Sequence, residues 1–171
     1  MLMSHLHATF RSLAEGGLPL DRLVEGANRI FCESTTAGQY ATIVVGRVAR
    51  DGSVEFVNAG HLPVLHVHGD GVTPKDSTGV PLGMFCKMSF PVHRLTLAHG
   101  DTLFLYTDGL TESRNHAGAE YGLQRIRTLA ARHAGLEPEG LISECLVDLL
   151  SFQEGLRQTD DLTLLAVQRA E

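Results

Sequence analysis

The sequence predicts an α+β fold, with helices before and after a central run of antiparallel strands and one further strand near the end of the chain. Apolar residues recur at helical spacing up to residue 31, β-branched runs separated by turn residues begin at residue 40, and helical spacing returns after residue 108. Strands joined by short turns favour antiparallel pairing, because parallel strands need a long crossover. A chain of 171 residues is long enough to bury its own core, so residues 1–171 are predicted to form one domain.

Two amphipathic helices are predicted at the start of the chain. The first covers about fifteen residues and ends at Gly16-Gly17. Pro19 is well placed near the start of the second helix, because its fixed φ suits the first helical turn. The apolar residues that mark the buried faces are Leu2, Leu6, Phe10 and Leu13 in the first helix and Leu20, Leu23, Val24, Ala27, Ile30 and Phe31 in the second.

The middle of the chain predicts a series of short strands. Residues 40–48 are β-branched and nearly continuous, which predicts a central strand. Asp51-Gly52 is a hairpin signal that leads into a second strand at 54–57. Further strands are predicted at 64–68, after the Gly69-Asp70-Gly71 turn, and at 90–97.

A buried strand that runs into an acidic residue is the most informative feature. Residues 103–106 are apolar and aromatic, as in a strand buried on both faces. Asp108 follows within two positions, and Gly109 lets the backbone turn where a Cβ would clash. An acid on such a rigid platform suits a hard metal ion. The alternative interpretation is an ordinary Asp-Gly turn, and these residues alone leave both open.

A second acidic site precedes the last strand. Two helices are predicted after residue 120, the second with Pro138 near its start, and a strand is predicted at 162–167. Asp160 and Asp161 lie directly before that strand. Since the end of one antiparallel strand lies beside the start of its neighbour, these carboxylates and Asp108 can converge at one rim of a sheet. Such a rim suits Mg²⁺ or Mn²⁺, although a solvated acidic turn is the alternative.

Composition and motifs exclude several classes of function. The net charge is −6 and there is no run of Lys or Arg, so nucleic acid and anionic membranes are poor partners. No apolar run approaches the roughly 20 residues of a membrane span, and no signal peptide is recognised, so a cytoplasmic location is expected. The cysteines, which are odd in number and far apart, are predicted to be reduced thiols: Cys32, Cys86 and Cys145. Neither a Cys-x5-Arg loop nor a Gly-x-Ser-x-Gly elbow is present.

Seven motifs in order carry a resemblance to a known family. They are Ala27-Asn28-Arg29, Tyr40-Ala41-Thr42, Val57-Asn58-Ala59-Gly60-His61-Leu62-Pro63, Gly79-Val80-Pro81-Leu82-Gly83-Met84, Leu105-Tyr106-Thr107-Asp108-Gly109-Leu110-Thr111-Glu112, Tyr121-Gly122 and Thr159-Asp160-Asp161-Leu162-Thr163-Leu164-Leu165. With them the chain resembles SpoIIE-type phosphatase domains, the bacterial branch of the metal-dependent (PPM) serine/threonine phosphatases. The resemblance covers essentially all 171 residues.

The resemblance implies a fold and a reaction. The fold is an α-β-β-α sandwich of two antiparallel sheets flanked by helices. In the reaction, water activated at a dinuclear Mn²⁺/Mg²⁺ centre attacks the phosphorus of a phosphoserine or phosphothreonine. By motif, Asp108 and Asp160 correspond to metal ligands that act in catalysis, Asp161 is a weaker candidate beside them, and Gly109 permits close packing. The implied substrate is a phosphorylated STAS-type anti-sigma-factor antagonist, and a sensor or receiver domain is expected in the full-length protein.

The chain departs from the family pattern at its start. The other metal-binding aspartates of the family lie in upstream Gly-Asp-Tyr/Phe-Tyr-Asp and Gly-Asp-Val-Ser-Gly motifs, which this sequence lacks. We therefore expect the N-terminal strands to be missing, metal binding and turnover by this chain alone to be weak, and open sheet edges to pair with a second copy. The alternative is a catalytically inert fragment that binds a STAS-type partner or self-associates.

Overall fold

A computed structural model describes residues 2–36, 38–69 and 71–170. Asp70 of the predicted turn and the side chain of Leu2 lie outside the described residues. In chain order the elements are α1 (Leu2–Ala14), α2 (Leu20–Ser34), β1 (Ile43–Val48), β2 (Ser53–Ala59), β3 (Val64–His68), β4 (Gly71–Lys75), β5 (His93–Thr96), β6 (Thr102–Tyr106), α3 (Asp108–Thr111), α4 (Gly122–Arg132), α5 (Pro138–Gln153) and β7 (Leu164–Gln168). No helix among the described residues is long and apolar enough to cross a membrane.

The first unit comprises Met1–His61 and Asp76–Thr96. Its antiparallel sheet has the order β1-β2-β5, and α2 packs against β2. The predicted faces of α1 and α2 form the core of this unit with residues of β2 and of the segment between β4 and β5. The core residues are Leu6, Leu20, Leu23, Val24, Phe31, Val57, Ala59, Leu82 and Phe90. The two helices and the Asp51-Gly52 hairpin are therefore confirmed.

The prediction that residues 40–48 form a central strand is wrong. The strand is shorter, Ile43–Val48, and it lies at the edge of its sheet, where β2 is its neighbour. Its last three residues are exposed, including Val48 at 58%. A run of β-branched residues indicates an extended backbone, but it does not determine how many neighbours that backbone has.

The second unit comprises Leu62–Lys75 and Leu97–Glu171. Its antiparallel sheet has the order β4-β3-β6-β7, with α4 against β3 and β4 and α5 against β7. The strand predicted at 103–106 is observed, and Phe104 on it is fully buried. Most of the core residues of this unit come from β6, α4 and α5, and the others come from β3, α3 and the position directly before α4. The core residues are Leu65, Val67, Phe104, Tyr106, Leu110, Tyr121, Ile126, Leu129, Ala130, Leu141, Cys145 and Leu149. Two antiparallel sheets with helices confirm the predicted α+β class.

The prediction of three reduced cysteines is wrong for two of them. Cys32 at the end of α2 forms a disulfide with Cys86, with Cα atoms 5.6 Å apart, within the range for such bonds. Cys145 is free and buried. The segment between β4 and β5, which carries Cys86, is also held by buried Asn28. Asn28 Nδ2 donates to the Phe85 carbonyl at 2.8 Å, and Asn28 Oδ1 accepts from Gly83 N at 2.9 Å. The two cysteines are 54 residues apart, so their spacing gave no sign of the contact.

An ion pair links α4 to α5 in the second unit. Arg125 donates through Nε and Nη2 to the Asp148 carboxylate at 2.7 and 3.0 Å, and Tyr121 Oη donates to it at 2.7 Å. The hydrogen bonds from Arg125 hold the pKa of the Asp148 carboxyl below its ordinary value of 3.8. A lowered pKa in the folded state means stability that is present above pH 3.8 and is lost as the pH falls through the folded-state pKa.

Asp148→Asn is expected to lower the free energy of unfolding by about 1 kcal/mol near neutral pH, because the pair is partly exposed. The difference from the unchanged protein should shrink as the pH falls below 3.8, since the carboxyl then becomes neutral in both states. Urea unfolding between pH 7 and pH 2 measures both effects. Glu120→Gln, which removes a more exposed pair with Arg114, is the matched control and should change the free energy by less than about 0.5 kcal/mol. A pH-independent difference for Asp148→Asn would contradict the linkage.

Candidate functional site

The pairing of β6 with β7 brings the two acidic segments side by side. Tyr106 lies opposite Leu164 at the end of the ladder. Beyond it, Thr107 N donates to the Thr163 carbonyl at 3.1 Å, and Thr163 N donates to Thr107 Oγ1 at 3.0 Å. Thr107 Oγ1 in turn donates to the Asp161 carbonyl at 3.0 Å. The residues next to Asp108 are therefore bonded to those next to Asp160.

Gly109 makes the closest approach between the two segments. It is buried in the one-turn helix α3, and its φ is not positive, so the turn itself does not require glycine. A Cβ at this position would collide with the Asp161 carbonyl oxygen and lie 3.0 Å from the Asp161 carbonyl carbon and 3.4 Å from the Asp160 oxygen. The backbone of Asp160 and Asp161 thus occupies the space where a side chain would lie.

The three acidic side chains of the site are exposed to solvent. Asp108 Oδ1 accepts from Gly109 N at 3.0 Å, and Asp160 Oδ1 accepts from Asp161 N at 2.7 Å. Each bond joins adjacent residues and fixes one oxygen of its carboxylate. Asp161 is held through its backbone carbonyl, to which Thr107 donates.

The donor set fits one hydrated divalent ion better than a complete dinuclear centre. Mg²⁺ is commonly held by one or two carboxylates and keeps several of its waters, and Asp108 with Asp160 can supply that number. Within the part of the chain that the structure describes, no group of three or more His, Cys, Asp or Glu residues is placed to hold a metal.

A network of amide and hydroxyl groups, which the sequence did not predict, supports Gly109. Its carbonyl oxygen accepts from Ser113 Oγ at 2.6 Å and from Gln158 Nε2 at 2.7 Å. Gln153 Nε2 donates to Gln158 Oε1 at 2.7 Å, and both Ser113 and Gln153 are buried. A cavity of about 380 Å³ adjoins this network, and Asp160 is among the residues that line it.

Asn58 and His61 of the third motif have local structural contacts in the first unit. Asn58 is fully buried, and its Oδ1 accepts from His61 N at 2.9 Å. His61 Nδ1 lies 3.4 Å from Thr42 Oγ1, which joins this turn to the segment before β1. These contacts stabilise the turn.

Comparison with protein families identifies the chain. The family profile described as Stage II sporulation protein E (SpoIIE) matches residues 1–170. The chain belongs to the SpoIIE family. The resemblance given by the seven motifs is therefore confirmed.

Relatives of the SpoIIE family agree in sequence and fold. Phosphoserine phosphatase RsbU of Bacillus subtilis (strain 168) is 25% identical over 174 residues, which cover 99% of this chain and 51% of RsbU. The crystal structure of the RsbU and RsbW domains of Rv1364c from Mycobacterium tuberculosis is 31% identical, with a TM-score of 0.81, covering 99% of this chain and 47% of that one. The SiaA-PP2C domain of Pseudomonas aeruginosa has a TM-score of 0.82 at 19% identity, covering 98% of this chain and 67% of that one. The fold is thus that of PP2C phosphatase domains.

Metal ions occur in the descriptions of other structures with this fold. The phosphatase domain of SpoIIE from Bacillus subtilis was solved after presoaking with Mn, and it matches with a TM-score of 0.63 at 18% identity, covering 96% of this chain and 73% of that one. RsbX was solved in complex with magnesium, and it matches with a TM-score of 0.65 at 15% identity, covering 94% of this chain and 71% of that one. The chain itself spans about half the length of RsbU.

Proposed function

We propose that this chain is part of a metal-dependent phosphatase that removes phosphate from phosphoserine or phosphothreonine in a protein. The observation that supports this most directly is the contact of Gly109 with the backbone of Asp160 and Asp161, which brings the two acidic segments of a phosphatase family together. RsbU, which matches nearly the whole chain, is named a phosphoserine phosphatase.

Asp108 and Asp160 have the central role in this proposal. Their carboxylates would hold a divalent ion, Mn²⁺ or Mg²⁺, and Asp161 would support them from the neighbouring position. A bound ion of this kind lowers the pKa of water and neutralises charge on phosphoryl oxygens. The protein's own contribution is to fix the separation of the two carboxylates before the ion binds, through the β6–β7 ladder and the contacts of Gly109.

The proposed substrate is a phosphorylated STAS-type protein, an anti-sigma-factor antagonist. This substrate is the one that the family resemblance implies, and the relatives include the phosphoserine phosphatase RsbU and stage II sporulation protein E. This chain covers 19% of the latter protein. From the family resemblance we also propose that a sensor or receiver domain belongs to the full-length protein.

A second candidate function is a binding module without catalysis. The lack of a three-ligand metal group among the described residues favours it. The edge strands of the two sheets, β1 and β5 in one and β4 and β7 in the other, offer backbone groups for pairing with a second copy or with a STAS-type partner.

Phosphate release from a phosphorylated STAS-type protein distinguishes the two functions. We compare the chain of residues 1–171 with an extended version that carries the two upstream aspartate motifs of the family in front of residue 1. With Mn²⁺ present, the extended version should release phosphate and the chain alone should be at least about a hundredfold slower, because it lacks the bridging carboxylate. A folded extended version that is inactive with every divalent metal would leave only the binding module.

A further inference from the structure

We infer that Gln158 is a positioning residue that sets the separation of the Asp108 and Asp160 carboxylates. The inference rests on the proposed metal-binding role of these two aspartates. It concerns a side chain that neither binds the ion nor touches a substrate, and that acts through the backbone of Gly109.

The bond from Gln158 joins the two acidic segments directly. Its Nε2 donates at 2.7 Å to the carbonyl of Gly109, the residue after Asp108, while Gln158 itself lies two residues before Asp160. On the other side of Asp108, Thr107 Oγ1 donates to the Asp161 carbonyl at 3.0 Å. Asp108 therefore lies between two residues that are each bonded to the segment carrying Asp160.

The amide of Gln158 is oriented by a buried neighbour. Its Oε1 accepts from Gln153 Nε2 at 2.7 Å, and Gln153, at the end of α5, is only 5% exposed. With the oxygen held toward Gln153, the amide nitrogen is the atom that faces Gly109. Only a side chain with an acceptor and a donor at this reach can make both bonds, and an apolar side chain of the same length makes neither.

The Gly109 carbonyl accepts a second hydrogen bond, so a variant of Gln158 can test the position of the Asp108 segment without leaving this carbonyl unpaired. Ser113 Oγ donates to it at 2.6 Å, so the carbonyl stays hydrogen-bonded when Gln158 is replaced. What is lost is one of the links between the segments of Asp108 and Asp160, while the bond from Thr107 Oγ1 to the Asp161 carbonyl remains. A group hydrogen-bonded directly to a metal ligand typically contributes about 10–100-fold to metal affinity. Gln158 bonds the residue after the proposed ligand Asp108, so we expect an effect at the lower end of that range.

The test measures Mn²⁺ affinity of the 171-residue chain by electron paramagnetic resonance of the free ion, alongside its melting temperature. Gln158→Met, which keeps the length of the side chain, should weaken Mn²⁺ binding about tenfold. The matched control is Gln168→Met at the far end of β7. Gln158 Nε2 donates to one backbone carbonyl and Gln168 Nε2 donates to two, of Gly100 at 3.1 Å and Leu136 at 3.0 Å, so both substitutions remove hydrogen bonds from a side chain to the backbone. The control should lower the melting temperature to a similar extent and leave Mn²⁺ affinity unchanged.

Two further variants separate the inference from the proposed function. Gln153→Met keeps Gln158 but removes one of the two donors to its Oε1, the other being Ser113 Oγ at 3.1 Å. It should give a smaller loss of affinity in the same direction, also where Gln158→Met fails to fold. If Gln158→Met and Gln153→Met bind Mn²⁺ as tightly as the unchanged chain while Asp108→Asn binds it more weakly, the role of Gln158 is overturned and the metal site is not. Unchanged affinity in Asp108→Asn would overturn the proposed metal site itself. An equal loss in Gln158→Met and Gln168→Met would show a general effect of stability and would also overturn the inference.

Discussion

Asp108→Asn in the extended version is expected to lower phosphatase activity by at least about a hundredfold, since loss of a metal ligand costs no less than loss of a partner one step away. The amide lacks the negative charge and the second oxygen that hard cations prefer. In the unchanged protein Gly109 N donates to Asp108 Oδ1 at 3.0 Å, and the amide oxygen of asparagine can accept the same bond. The free energy of unfolding should therefore stay nearly unchanged. Initial rates of phosphate release with Mn²⁺, together with urea unfolding, measure the two quantities.

Asp161→Asn is the matched comparison for this substitution. Asp161 is an exposed neighbour of the same rim, and its backbone carbonyl and backbone N–H make hydrogen bonds there that the substitution leaves in place. Its activity loss should therefore be clearly smaller than that of Asp108→Asn. Unchanged turnover in Asp108→Asn would remove Asp108 from the centre, and a larger loss in Asp161→Asn would exchange the roles of the two residues.

Elements with local signals could be predicted from the sequence. The strand predicted at 64–68 has these bounds in the structure, because alternating apolar residues and flanking turn residues act over a few positions. Pro138 is the first residue of α5, where its missing N–H costs no hydrogen bond. The sequence also indicates a change of backbone direction at Asp108-Gly109, directly after β6. The structure forms a single helical turn there, whereas the alternative interpretation was an ordinary Asp-Gly turn.

Contacts between distant parts of the chain could not be predicted in this way. Gln158 and Gly109 are separated by 49 residues, and Cys32 and Cys86 by 54. Neither glutamine nor cysteine has a local pattern that names its partner, since the partner is determined by which strands pair and in what register. The family motifs located Asp108 and Asp160, whereas the side chains that hold their segments together became visible only in the structure.

Gly109→Ala is expected to lower the free energy of unfolding by about 1–3 kcal/mol, the usual cost of an extra carbon in a filled site. The new Cβ would collide with the Asp161 carbonyl oxygen, which is a backbone atom and cannot move aside as the end of a side chain can. Relief of the collision must displace the segment of Asp160 and Asp161 from that of Asp108. Mn²⁺ affinity should therefore fall together with stability, and urea unfolding with Mn²⁺ titration measures both.

Gly135→Ala is the matched control, because it adds the same carbon to the same unit. Gly135 is exposed between α4 and α5, its φ is not positive, and a Cβ there would meet nothing within 4 Å. This variant should change the free energy of unfolding by less than about 0.5 kcal/mol and leave Mn²⁺ affinity unaltered. If the two alanine variants were equally stable and bound Mn²⁺ equally well, Gly109 would not lie against the Asp160–Asp161 backbone, and the convergence of the two acidic segments would lose its main support.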